Sequence, residues 1–408
     1  MTRECDVAAS LACPPGRAAV HTSAMRTIRR AAAVAALWLA YAAPARAQSL
    51  PSRLSDDEFW RLISDLSEAG GYFRSDNFVS NETTFQYVIP ELQKTHPAAG
   101  VYLGVGPDQN FTYIVALKPR IAFITDIRRQ NMIEHLMYKA VIELSPTRAD
   151  FMALLFSRPK PASLTDTTGA PGLMQAYLVA PADSVLYRKN LATIKDQLVA
   201  RHHFALTPDD LMGITYVYDA FFNAGPELNY SFSTGRQGRV GYFGRRMPSY
   251  AELMAESDAL GMHRSYLASE DNYRTLRDLE ESNLIVPIVG DFAGDKTLKA
   301  VGTYLKQHNA TVTAFYTSNV EQYLFQQADD WRHFFTNVSM LPLDAKSTFI
   351  RAVFNYMGFR DPSSGTPGPR STTMLSPILD VLKAIDQGKV QTYYDVIQLS
   401  TAPAPAPE

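Results

Sequence analysis

Two glycines and one distant acid carry the strongest chemical signal in the sequence. Gly104-Val105-Gly106 follows the short apolar run Val101-Tyr102-Leu103, and Asp126 stands twenty-two residues beyond Gly104, closing the next apolar run, Ile121 to Thr125. Glycines at such a turn let the backbone pass close to a ligand, and the helix that opens behind it offers free N–H groups. An acid at the end of the second strand is placed to accept hydrogen bonds from a ribose diol. Asp108, Gln109 and Asn110 complete the turn. The competing reading is a tight strand-to-helix turn that holds no ligand.

Other groups have weaker patterns. Gly235, Gly238, Gly241 and Gly244 recur every third residue, interleaved with Arg236, Arg239, Tyr242, Phe243 and Arg245. Guanidiniums on a glycine loop could close over an anionic or aromatic substrate, and a solvated hairpin is the plainer alternative. Arg128-Arg129 reads either as a phosphate contact or as charge flanking a helix. His135 and Lys139 fall one turn apart on what reads as a polar helix face, so a surface pair is expected. His202-His203 lacks a further ligand at metal spacing, and no metal site is expected. Asp209-Asp210, Glu280-Glu281 and Asp329-Asp330 read as helix termini and solvated faces. No G-x-S-x-G elbow, H-E-x-x-H motif or P-loop occurs in the chain.

The elements that would position these groups alternate in type. Ser55-Asp-Asp-Glu58 is a capping box before Phe59, Leu62, Ile63 and Leu66. Strands are expected at 101–103 and 121–125, with a helix between them that ends at Pro119. A further helix over 131–144 follows. The pattern resumes at 284–289, although Pro287 fits badly inside a central strand. Asp295 is the expected cap of a helix to about Gln307, 311–316 is a strand, and Ser318-Asn-Val-Glu321 reads as a second capping box. Strand, glycine turn, helix, strand predicts a parallel α/β sheet. Residues 160–280 form an insertion, and its helix starts Thr207-Pro-Asp-Asp210 and Ser249-Tyr-Ala-Glu252 make it mainly helical. Residues 48–400 thus read as one α/β domain with a helical insertion, and 401–408 as a disordered Ala/Pro tail.

Composition bounds the function. The 408 residues carry 39 Lys+Arg against 41 Asp+Glu, a net charge of −2, which disfavours a nucleic-acid partner. Arg26, Arg29 and Arg30, the apolar stretch 31–43 and Ala45-Arg46-Ala47 form a signal-peptide pattern, with Met25 as the expected start and cleavage after Ala47. The apolar stretch is too short to span a bilayer. The mature chain is therefore expected in the periplasm or outside the cell, without stable membrane insertion. Both cysteines, Cys5 and Cys13, leave with the signal.

The succession VYLGVGPDQNF, IAFITDIR, LIVPIVGDF and TVTAFYTSN resembles the class I methyltransferase superfamily over about residues 70–145 and 280–355. The resemblance implies a Rossmann-like fold and S-adenosylmethionine as cofactor. It makes Gly104, Gly106, Asp108, Gln109 and Asn110 the nucleoside turn, Asp126 the ribose acid, and Asp291, Phe292 and Ser318 the ends of two further strands. Two positions depart from the pattern: Tyr102 stands where the family carries an acid, and Asp108 where it carries a third glycine. The run from SDNFVSNE to FITDIRR also resembles an uncharacterised bacterial family. The implied function is binding of a nucleoside-containing small molecule, with methyltransferase activity. A non-catalytic binding or scaffold protein on the same fold, and an NAD-linked oxidoreductase using the same turn and acid, are the alternatives.

Overall fold

Strands buried on both faces need apolar residues at nearly every position rather than alternation, and the sequence supplies four such runs. In the computed structural model, which describes residues 49–96, 99–230, 247–354 and 371–403, they are β1 (Val101–Gly104), β2 (Ile121–Asp126), β3 (Ile285–Val289) and β4 (Val312–Ser318). The signal segment, Arg236, Arg239, Tyr242 and Arg245, loop 361–370 and the last tail residues lie outside the described residues. With β5 (Thr348–Phe354) and β6 (Ser371–Pro377) the strands form one six-stranded sheet in the order β3-β2-β1-β4-β5-β6. All neighbours are parallel except β5 and β6, which pair antiparallel. The chain leaves β1 toward β2 and β3 on one side and returns as β4 on the other, so the order reverses between β1 and β4.

Pro287 is tolerated because β3 is an edge strand. Its neighbour in phase, Val289, sends its N–H outward to Ser67 Oγ at 3.0 Å, while Gly290 N–H points inward to the Asp126 carbonyl. The N–H that proline lacks falls on the side away from β2.

Helices cover the sheet. In chain order the first are α1 (Asp56–Leu66), α2 (Ile89–Thr95), α3 (Gln109–Leu117), α4 (Arg129–Glu143) and α5 (Arg148–Phe156). Between there and β3 run α6 (Ala170–Val179), α7 (Ser184–Asp196), a π-turn (Gln197–Arg201), α8 (Pro208–Ala224), α9 (Tyr250–Ala255) and α10 (Glu270–Glu281). Ser55, Thr207 and Ser249 each close a capping box. Two expected caps differ. Asp295 pairs with Lys299 at 3.1 Å, and the helix Thr297–Gln307 starts behind Lys296 without a side-chain cap. Asn319, not Ser318, precedes the helix Val320–Leu324, because Ser318 and Glu321 are both held by tertiary partners.

The largest correction concerns α4. Residues 131–142 are buried all round, since the helix packs on β2 and β3 with one side and on α8 and α10 with the other. His135 and Lys139 are therefore interior, not a surface pair. Lys139 Nζ lies 2.7 Å from Glu143 and donates to the Glu280 carbonyl at 2.5 Å. Glu280, expected on a solvated face, is buried beside it.

Candidate functional site

The turn after β1 is closed from within. Gly106 has φ +77°, a conformation that side chains with a Cβ rarely adopt. At Gly104 a Cβ would stand 1.9 Å from Asn110 Oδ1, so glycine makes room for this amide. Asn110 Nδ2 donates to the carbonyls of Val105, Gly106 and Pro107 at 2.9, 3.2 and 2.7 Å, and its Oδ1 accepts from Tyr102 OH at 2.9 Å. Tyr102 thus orients the amide that shapes the turn.

Glu82 sits where the sheet order reverses. It comes from the segment before β1 and is 1% exposed. Its carboxylate accepts from Gln109 Nε2 at 2.9 Å and Tyr316 OH at 2.8 Å, and from Ser318 Oγ. Burial pushes the Glu82 acid up, against these three bonds. Gln109 opens α3 and Ser318 ends β4 with φ +52°, so Glu82 ties the carboxyl ends of the two strands that flank the reversal. Open α/β sheets bind their ligands at this place.

Asp126 is held by its own loop. Its Oδ1 accepts from the backbone N–H and Nε of Arg128 at 2.9 and 3.0 Å, and its Oδ2 from Nη2 at 2.8 Å. Arg128 Nη1 continues to the carbonyls of Ser75, at 3.0 Å, and Asp76. Both side chains are buried. Arg129 makes a bidentate pair with Asp210 at 2.7 and 2.8 Å. At the end of β3, Asp291 donates its N–H to Glu68 at 2.8 Å and accepts from Ala293 N–H at 2.9 Å. Phe292 packs into an aromatic cluster with Phe315 and Phe334.

A third polar group lies between the turn and α4. Asp108 Oδ2 accepts from Tyr266 OH at 2.9 Å, and Tyr266 shares a hydrogen bond with Tyr250 OH at 2.6 Å. Burial pushes the Asp108 acid up to about 7. His135 is pushed down to about 4 by burial and is neutral; its Nε2 lies 2.8 Å from the Gly106 carbonyl and must carry the proton, which leaves Nδ1 a bare acceptor. Glu134 is fully buried, and burial holds its acid well above the usual carboxylate range.

All the expected site residues that are described stand at the carboxyl ends of the strands, but they divide among separate bonded groups. Gly104, Gly106, Asn110, Gln109 and Ser318 surround the reversal, Asp126 is joined to Arg128, Asp108 faces the tyrosines, and Asp291 and Phe292 close the β3 end. Glu82, Glu134 and Tyr266 were not anticipated. Glu82 lies 234 residues from Tyr316 in sequence, so no local spacing could join them. The one available signal was an acid inside a polar loop, Ser75 to Glu82, just ahead of the first strand.

No curated protein matches the chain. A family described as a domain of unknown function, DUF7790, matches residues 77–167 and 228–392, which hold Glu82, the turn, Asp126, Glu134 and Ser318 and pass over α6, α7, the π-turn and α8. The chain belongs to this family, domain of unknown function DUF7790.

Proposed function

We propose that the chain is an exported, non-catalytic binding protein built on a Rossmann-like frame of the methyltransferase type. The frame is supported by the order β3-β2-β1-β4-β5, by the glycine turn after β1 and by the antiparallel strand at the end of the sheet. Export is supported by the signal pattern at 25–47.

One observation carries the non-catalytic reading: both oxygens of Asp126 are already bonded by Arg128. A ribose diol would have to compete with a buried guanidinium for the carboxylate, on which three of about four acceptor sites are taken. The rest of the contact set argues the same way, because Asn110 fills the space over Gly104, and Gln109 and Ser318 are spent on Glu82. These residues do not fit S-adenosylmethionine by the contacts the resemblance implies. An exported protein would also lack that cytoplasmic donor.

The second reading, a nucleoside-binding enzyme, is favoured by the strand order and by the positive φ of Gly106. A thermal-shift panel of S-adenosylmethionine, S-adenosylhomocysteine, NAD and nucleotides on residues 48–408 separates the two. The expected result is no shift with any of them. A compound present at a hundredfold over its Kd would add about 2.7 kcal/mol, and such a stabilisation would return the chain to the enzyme reading.

A further inference from the structure

We infer that the inner face of α4, formed by Asn131, Glu134, His135 and Tyr138 opposite Asp108, is a binding site for a small organic cation carrying N–H donors, a primary ammonium. The inference rests on the reading of the chain as a binding protein and gives that protein its ligand class.

The four positions follow the i, i+3, i+4, i+7 pattern and so share one face of the helix. Each is at most 2% exposed. Among the described residues, Asn131 Nδ2, both Glu134 oxygens, His135 Nδ1 and Tyr138 OH have no hydrogen-bond partner. Buried polar atoms are almost always paired, so a whole helix face of unpaired ones asks for a ligand. Three of these atoms are acceptors: the two Glu134 oxygens, and His135 Nδ1, whose partner nitrogen is committed to the Gly106 carbonyl. An ammonium group presents three N–H donors and no acceptor, which complements these three acceptors; Asn131 Nδ2, itself a donor, stays outside the match.

Charge selects the same ligand. Glu134 shares its surroundings with Asp108, Asp126 and Asp76, and the cation beside them, Arg128, is already bound to Asp126. An anion would oppose ionisation among these acids, and a neutral molecule would leave Glu134 holding its proton. A cation takes the place of that proton and draws Glu134 into its ionised form. Phe111 contributes an aromatic wall, with its ring edge-to-face against His135, Tyr138 and Tyr266 at 5.4 Å in each case. Aromatic rings of this kind attract cations. A quaternary ammonium offers charge but no N–H, and so tests the hydrogen-bond half of the argument.

The experiment is titration calorimetry on residues 48–408 with ethylammonium chloride, against tetramethylammonium chloride and sodium chloride at matched ionic strength. Saturable binding of ethylammonium alone is expected, and Glu134→Gln should weaken it at least tenfold while keeping the wild-type circular-dichroism spectrum. Absence of saturable ethylammonium binding, or equal binding to Glu134→Gln, overturns the site. If that variant does not fold, the 15N signal of His135 Nδ1 in the wild type decides: it should move on titration with ethylammonium, and a stationary signal overturns the proposal. Failure here removes the ammonium ligand only. The underlying reading fails on a different measurement, the nucleoside panel, so the two failures are told apart.

Discussion

At the scale of single residues, Asp126 shows how an identical carboxylate can be a ligand group or a structural one. Its place at the end of β2 is legible from the sequence, and so is the cation two residues on. What spacing does not reveal is that Arg128 turns back and is then held from behind by the carbonyls of Ser75 and Asp76, some fifty residues earlier. Those two bonds fix the guanidinium over Asp126. Asp126→Ala would leave Arg128, which is 6% exposed, without its anion. Orphaning one member of a buried pair costs about 3–5 kcal/mol. An unfolding free energy, measured by urea denaturation, lowered by that amount is expected. Unchanged stability would show that the Ser75 and Asp76 carbonyls suffice for Arg128 and that Asp126 is free to serve a ligand. Glu82 was illegible for a related reason: its partners Gln109, Tyr316 and Ser318 are gathered by the sheet, not by the local chain.

At the scale of elements, local signals held where local physics decides. The capping boxes at Ser55, Thr207 and Ser249 join residues three apart and survive folding. The same signature at Ser318 did not, because Glu82 takes the hydroxyl and Arg351 takes Glu321. Strands β5 and β6 are announced poorly, since β6 is rich in Ser and Thr and pairs across residues 355–370. Periodicity identified one apolar face of 131–144 but not the helices that bury the other. Those helices create a junction at His202, just after the π-turn. Its Nε2 lies 2.6 Å from Glu143 at the end of α4, and its Nδ1 2.9 Å from Asp56 at the start of α1. Burial lowers the His202 pKa, but the bond to Glu143 and its charge outweigh burial and leave it raised above 6.5. Burial likewise opposes ionisation of Glu143, yet His202 and Lys139 bring its acid down to about 2. A raised histidine stabilises fully below its unfolded value and loses that contribution as pH rises through the folded one; a depressed carboxylate loses its contribution as pH falls. The junction is therefore complete between about pH 4.5 and 6.5, the two unfolded values. Compared with His202→Gln, the wild type should be most stabilised in that window and lose the difference toward pH 8. A difference in unfolding free energy that stays constant with pH would mean that His202 is neutral in the folded protein.

At the scale of the whole molecule, the interior holds more acid than base. Asp108 and Glu256 are pushed up to about 7 and Glu280 to about 8, in each case chiefly by burial, and Glu82 and Glu134 are raised by the same cause. These groups are spread over the turn after β1, the segment after α9, α10 and α4, so their titration reports on the whole domain. In the unfolded chain the same acids ionise near their ordinary values, 3.8 for Asp and 4.5 for Glu. The folded state therefore binds more protons than the unfolded state above those values, and stability must fall as pH rises toward 7 and 8. Each retained proton contributes a slope of roughly 1.4 kcal/mol per pH unit until its folded value is passed. The depressed acids Asp150, Asp210 and Asp258 titrate below 3.8 and leave this window untouched, His202 adds to the loss, and His135, pushed down to about 4, offsets one proton of it below 6.5. Urea unfolding of residues 48–408 should thus give a midpoint that declines steadily between about pH 5 and pH 8. Glu280→Gln, which keeps the shape of the side chain and removes its proton, should flatten the upper part of that decline. A midpoint that is level or rises across the range would mean the buried acids are ionised in the folded protein and compensated by cations, and the charge argument for an ammonium at Glu134 would fall with it.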